Sequence, residues 1–314
     1  MLRFFTPQGR YNRIIKPLSV DVVRSLNNIP VLTITLPHSL QIDRFISPTI
    51  TFDWTLQKNV AFVGGSGFGS ERSQFTVEDI DLDTTAILGR AEIFTSADSS
   101  DETTLTEAGL TIISKNKTRP TQSADFNNAL KFGEVFELPL MATEFENNSL
   151  AVLDVPSWQT ELWRLKRVTL DENEAELQFR GLNSLLEDRI VLDVGPLTGH
   201  ADDLAKLLAR NAMTIDERSV PRLSVANDLS KAPIVTIEDI RYRPLFDVLT
   251  DLADLAEQKG TAFFFNIEST SDFALRFSTF AVELGGNKWI ADTEELKIRG
   301  GDFGPPVLTA SVLS

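Results

Sequence analysis

Few residues in this chain are placed to do chemistry. The only glycine cluster, Val63-Gly64-Gly65-Ser66-Gly67-Phe68-Gly69-Ser70, invites a phosphate-binding reading, because glycine-rich turns let backbone N–H groups close around an anion. It lacks the Lys-Ser/Thr ending of a P-loop, since Glu71 follows Ser70. The dinucleotide pattern G-x-G-x-x-G also fails, because Ser70 takes the last glycine position when reading starts at Gly65. A turn or bulge after a strand over 60–63 is the expected structure. Asp79, Asp81 and Asp83 resemble the start of a calcium loop, but Thr84 stands where the sixth-position glycine belongs. The run reads as a strand with one acidic face. A weak cation site near Asp79, Asp81 and Asp83, helped by Asp98, Asp101 and Glu102, is the alternative.

Other chemistries lack their residues. There is no cysteine, which removes disulfides, thiolate metal sites and a thiol nucleophile. His38 and His200 are the only histidines, too few for a site built on several imidazoles, and His200 reads as an exposed first-turn residue. Carboxylates are so numerous that some pair falls at glycosidase separation by accident. The 21 Phe against 2 Tyr suit cores and interfaces better than a sugar platform. Asn116-Lys117-Thr118 and Asn147-Asn148-Ser149 match glycosylation acceptors without a secretory context. No catalytic, cofactor-binding or metal residue is nominated, and no cofactor is expected.

Composition sets the frame for the elements. The chain has 314 residues, 42% hydrophobic and 24% charged, so two domains, or one carrying an insertion, are expected. No apolar run approaches the ~18 residues needed to cross a bilayer, and Met1-Leu2-Arg3-Phe4-Phe5-Thr6-Pro7 opens no signal-peptide pattern. No membrane insertion by this chain is expected. The net charge of −15 repels nucleic acid. That balance fits an ordinary acidic protein, and it also fits the wall of a channel through which DNA slides without sticking.

The patterns predict an α+β, strand-rich chain. Val31 to Leu36 alternates and stops at Pro37, and Ile50, Phe52, Trp54 and Leu56 alternate with polar residues. Asp101 N-caps a short helix ending at Gly109, and residues 114–128 read as loop. Strands follow at 150–155, 161–170 and 174–180. The last two form a hairpin with Ala175, Leu177 and Phe179 buried, and Gly181 to Arg189 is a short helix. Helix 200–213 sets Leu204, Leu207 and Leu208 on one face, with Asp202 and Asp203 in its first turn and Arg210 in its last. Helix 244–259 starts with Pro244 at its first position and stops at Gly260. It feeds strand 261–268, paired with 273–278. These elements divide into a β-rich unit over 1–195 with an insertion around 60–145, and an α+β unit over 196–314.

Several of these segments resemble one family. Arg180-Gly181-Leu182-Asn183-Ser184-Leu185-Leu186-Glu187-Asp188-Arg189-Ile190, then the helix from Ala201 to Asn211 and the segment Pro244 to Gly260, resemble tail hub proteins of long-tailed bacteriophages and prophages. The block Asn59-Val60-Ala61-Phe62-Val63-Gly64-Gly65-Ser66-Gly67-Phe68-Gly69-Ser70-Glu71-Arg72, with Gly89-Arg90-Ala91-Glu92-Ile93-Phe94, resembles another stretch of that family. The order departs from the family pattern, where the glycine-rich block follows the helical half, so the blocks are permuted here. The resemblance implies two tube-type β-barrel-like domains with covering helices, and a ring of three copies in the virion, assembled in the host cytoplasm. Its partners would be the tail tube or distal tail protein and a central spike or fibre, with DNA passing through unbound. Two other classes compete: a virion-associated carbohydrate- or cell-wall-degrading enzyme, and a receptor-binding adhesin module.

Overall fold

The computed structural model describes residues 1–37, 45–67, 72–79, 86–117, 121–126, 145–153, 161–171, 173–192, 194–238, 240–271 and 273–283. The chain is α+β and strand-rich. It opens with β1 (Leu2–Phe5), β2 (Tyr11–Ile15), β3 (Ser19–Val23), β4 (Val31–Pro37) and β5 (Phe45–Asp53), followed by β6 (Val60–Gly64), β7 (Gln74–Glu78), β8 (Glu92–Ser96) and helix α1 (Glu102–Lys115). Next come β9 (Thr121–Phe126), β10 (Leu150–Leu153), β11 (Leu162–Leu170), β12 (Glu174–Gly181), the short helix α2 (Ser184–Glu187) and β13 (Ile190–Val191). The remainder is β14 (Leu197–His200), α3 (Ala201–Met213), β15 (Leu223–Val225), β16 (Ile234–Ile237), β17 (Arg243–Pro244), α4 (Leu245–Gln258), β18 (Thr261–Ser271) and β19 (Ala274–Glu283).

The largest sheet runs β2-β1-β10-β11-β12-β4-β3, with β5 beside the far half of β11 and β9 beyond it. Its end strands β2 and β3 are consecutive in sequence, joined only by Lys16, Pro17 and Leu18. Were the seven strands flat, six spacings would part the edges by about 29 Å. Four Cα steps from Ile15 to Ser19 reach at most about 15 Å. The sheet must therefore roll, bringing its two edges toward each other. Among the described residues no sheet closes into a barrel, since β2 and β3 do not pair. Leu2, Phe4, Leu32, Ile34, Ile50, Trp163, Leu177 and Phe179 fill one face of the roll. The β11–β12 hairpin buries Ala175, Leu177 and Phe179, as the alternation predicts. Leu56 departs from its pattern: β5 ends at Asp53, whose carboxylate accepts the Thr55 N–H at 2.9 Å and starts a turn, leaving Leu56 74% exposed.

Residues 60–115 form a small unit of their own. β6 pairs β7 antiparallel and β8 parallel, and α1 packs on them around Ala61, Val63, Val77, Leu105 and Ile113. Asp101 is the N-cap of α1, its carboxylate accepting the Thr104 N–H at 2.9 Å. The helix runs past Gly109, the residue expected to end it. A Cβ at Gly109 would lie 2.6 Å from a Val77 methyl, so this glycine permits close helix–sheet contact and does not terminate the helix. Within the expected loop 114–128, β9 pairs β5.

The third unit covers the outer face of β10 and β11. Leu150, Val152 and Leu162 join Leu204, Leu208, Leu249 and Phe277 in one continuous core. Ala201, Leu204, Ala205, Leu208, Ala209 and Ala212 make the buried stripe of α3. Leu207 falls outside that stripe and is 38% exposed, contrary to expectation. Pro244 occupies the cap of α4, one place before the expected first position, because it pairs with Ile190. The helix expected over 181–189 is confined to α2, and the hairpin β18–β19 extends well past 278.

Candidate functional site

Among the described residues, those singled out for chemistry do not converge. Asp79 follows β7, with Lys117 Nζ 4.0 Å from its carboxylate, while Asp81 and Asp83 lie outside the described residues. Asp101 and Glu102 belong to the start of α1. No group of three or more metal-ligating side chains occurs among the described residues. The glycine cluster forms the connection after β6, where Arg72 Nε donates to the Gly65 carbonyl at 2.8 Å; residues 68–71 are outside the description. His200 is not an exposed first-turn residue. It is half-buried at the cap of α3, its Nδ1 2.6 Å from the Ala232 carbonyl. His38 lies outside the described residues.

The chemistry that the fold does gather is a buried ionic junction where the three units meet. Asp188, just after α2, accepts from Arg164 Nη2 at 2.7 Å and Lys58 Nζ at 3.4 Å, with Lys166 Nζ at 3.9 Å. Arg164, fully buried, also donates to the Leu88 carbonyl, Asn148 Oδ1 and Ser184 Oγ at 2.9, 3.0 and 3.0 Å. Next to it, Glu92 of β8 accepts from Arg218 Nη2 at 2.6 Å, Arg90 Nε at 2.9 Å and the Ile190 N–H at 3.0 Å. Backbone bonds stitch the two centres: the Glu92 N–H donates to the Asp188 carbonyl and the Leu245 N–H to the Arg189 carbonyl. Arg189 donates to the Arg90 carbonyl at 2.5 Å.

Charge balance at the junction is uneven. Burial alone pushes the Asp188 carboxyl up, but the charges of Lys166, Arg164 and Lys58 outweigh it and hold it well below the usual carboxylate range. Glu92 is likewise lowered: burial opposes, while the Arg218 hydrogen bond and the Arg189 and Arg218 charges prevail. Both acids stay ionised near neutrality. Lys166 behaves differently, since burial, reinforced by the Arg164 charge, lowers it to about 7 against the pull of Asp188. The register of β11 on β12 shifts between Leu165 and Arg167, so Lys166 is the extra residue of a bulge. Bulges of this kind re-aim a side chain, and here the side chain lines a polar cavity beside Asn59, Asn147 and Asn148.

Sequence reasoning passed over these residues. The signal available was a strand, Leu162-Trp163-Arg164-Leu165-Lys166-Arg167-Val168, with cations between apolar residues, a pattern that ordinarily marks a solvated face. No protein-family model matches the chain, and no curated protein or solved structure matches it.

Proposed function

We propose that this chain is a structural subunit of a bacteriophage tail tip, a hub linking the tail tube to a central spike or fibre and acting by assembly, without a catalytic role. One observation carries the reading. Among the described residues the rolled sheet ends on β2 and β3, each paired on one side only, and residues 11–26 expose Tyr11, Ile14, Leu18, Val20, Val23 and Leu26. Unpaired edges with apolar side chains are a liability in an isolated protein and an asset in one that is covered by neighbours. In this reading the roll is the first of two tube-type barrel-like domains, spanning 1–195 with its insertion, and 196–314 is the second. Three copies form a closed ring by heterologous contacts.

The resemblance to tail hubs adds a second support. Three of the segments that carry it, 59–72, 89–94 and 180–190, are distant in sequence, yet Asn59, Glu92, Asp188 and Arg189 meet at or beside one junction. The net charge of −15 suits a lumen that does not hold DNA. Native mass spectrometry with negative-stain imaging of the purified chain tests the reading. A three-copy ring with an acidic lumen is expected. A monomer that cleaves cell-wall glycan, or a ring with a basic lumen, overturns it.

A further inference from the structure

The cavity beside Lys166 offers groups that the junction itself leaves unused. It encloses about 280 Å³ and is lined by Lys166, Asn147, Asn148, Asn59, Gln57 and Glu146, among others, just under the roughly 300–1,000 Å³ of pockets for drug-sized ligands. Lys166 is only 3% exposed. Its ammonium has three donors, yet among the described residues it makes no hydrogen bond, and Asp188 at 3.9 Å is its only close carboxylate there. That carboxylate is already shared with Arg164 and Lys58. Three cations therefore face one anion, and a buried cation without a matched anion is costly.

The amide groups around the cavity divide into used and unused. Asn59 spends its amide on the Gly89 carbonyl and the Ala91 N–H, and Asn148 Oδ1 is taken by Arg164. Asn147 Nδ2 reaches Gln57 Oε1 at 3.5 Å, while its Oδ1 is buried with no donor. Glu146 is exposed to solvent. The open requirement at the cavity is thus an anion for Lys166; the Asn147 Oδ1, with almost no accessible surface, does not face it.

We propose that this cavity binds a small oxyanion of the phosphate class. Its charged oxygens accept from Lys166. The site stands whether or not the chain is a tail hub, because it rests on the cavity and its unspent ammonium alone.

Calorimetric titration of the full chain with inorganic phosphate, sulfate and glycerol phosphate at neutral pH tests it. Saturable phosphate binding at millimolar concentration or below is expected, and sulfate, which matches in shape and charge, should compete for the same site. Tighter binding of glycerol phosphate than of phosphate assigns the site to an organic phosphate; the reverse assigns it to the free ion. Lys166→Met should weaken phosphate binding by about tenfold or more while the circular dichroism spectrum stays folded. Should that variant fail to fold, the unaltered chain decides: its phosphate affinity is expected to fall by about tenfold or more between about pH 7 and pH 9 as the Lys166 ammonium is lost. Absence of saturable binding at millimolar phosphate, an affinity that does not fall over that pH range, or unchanged binding by folded Lys166→Met overturns the assignment.

Discussion

Two buried charge clusters in this chain are built on opposite plans. At the junction one carboxylate, Asp188, serves three cations drawn from distant segments. In α3 one cation, Lys206, lies 3.6 Å from each of two carboxylates on its own helix, Asp202 and Asp203. Lys206 is fully buried and its Nζ makes no hydrogen bond. The two acids are supplied independently of it: Asp202 accepts the Lys231 and Ala232 N–H groups, and Asp203 accepts the Leu229 and Ser230 N–H groups and the Ser230 hydroxyl. The contrast shows what makes a charge indispensable. It is not the number of ion pairs but whether every charge left behind keeps other partners, as both aspartates do and Lys166 does not.

Three substitutions probe that difference. Asp188→Ala is expected to be the most damaging, because Arg164, Lys166 and Lys58 lose their shared counter-charge. A cost of about 3–5 kcal/mol in denaturant unfolding is expected, and a cost below about 1 kcal/mol would break the contrast. Lys166→Met acts through pH. Below about 7 this lysine is protonated in the folded and unfolded chains alike. Between about 7 and its ordinary value of 10.5, the unfolded chain holds the extra proton, so folding stability from this group rises with pH. The wild-type chain should show this contribution as a slope of up to about 1.4 kcal/mol per pH unit that Lys166→Met lacks. Parallel stability curves for the two proteins across that window would contradict it. The smallest effect is expected at Lys206→Met, which leaves both aspartates hydrogen-bonded and fills the space with apolar volume; stability should be unchanged or slightly raised. A thermal melt showing a large loss would mean that Lys206 is as needed as Asp188.

The same contrast explains what the sequence made legible. Local periodicity revealed α3, α4 and the β11–β12 hairpin, and the acidic first turn of α3 was visible because Asp202 and Asp203 are adjacent to their helix start. The junction was not legible, since its bonds join residues as far apart as Lys58 and Asp188 or Glu92 and Arg218. Lys166 in addition depends on a bulge, which changes which way a side chain points without altering composition. β9 was missed because Thr121-Gln122-Ser123-Ala124-Asp125-Phe126 lacks apolar alternation; its pairing with β5 supplies the strand. Gly109 was misread because glycine at a helix end and glycine at a close contact look alike in sequence.

The short tether between β2 and β3 has a consequence for how the chain is made. β1 and β4 flank that pair, and their partners come late: Leu2 pairs with Leu153, and Val31 with Arg180. At about 5–20 residues per second, a ribosome needs roughly 8–30 s to supply those partners. During that interval residues 60–115, whose pairings are local, can fold on their own strands, while the first four strands can form only the local hairpins β1–β2 and β3–β4. The inner edges of those hairpins, β1 and β4, thus wait for β10 and β12, whereas the strands within residues 11–26 find their partners early and keep apolar side chains exposed in the finished chain.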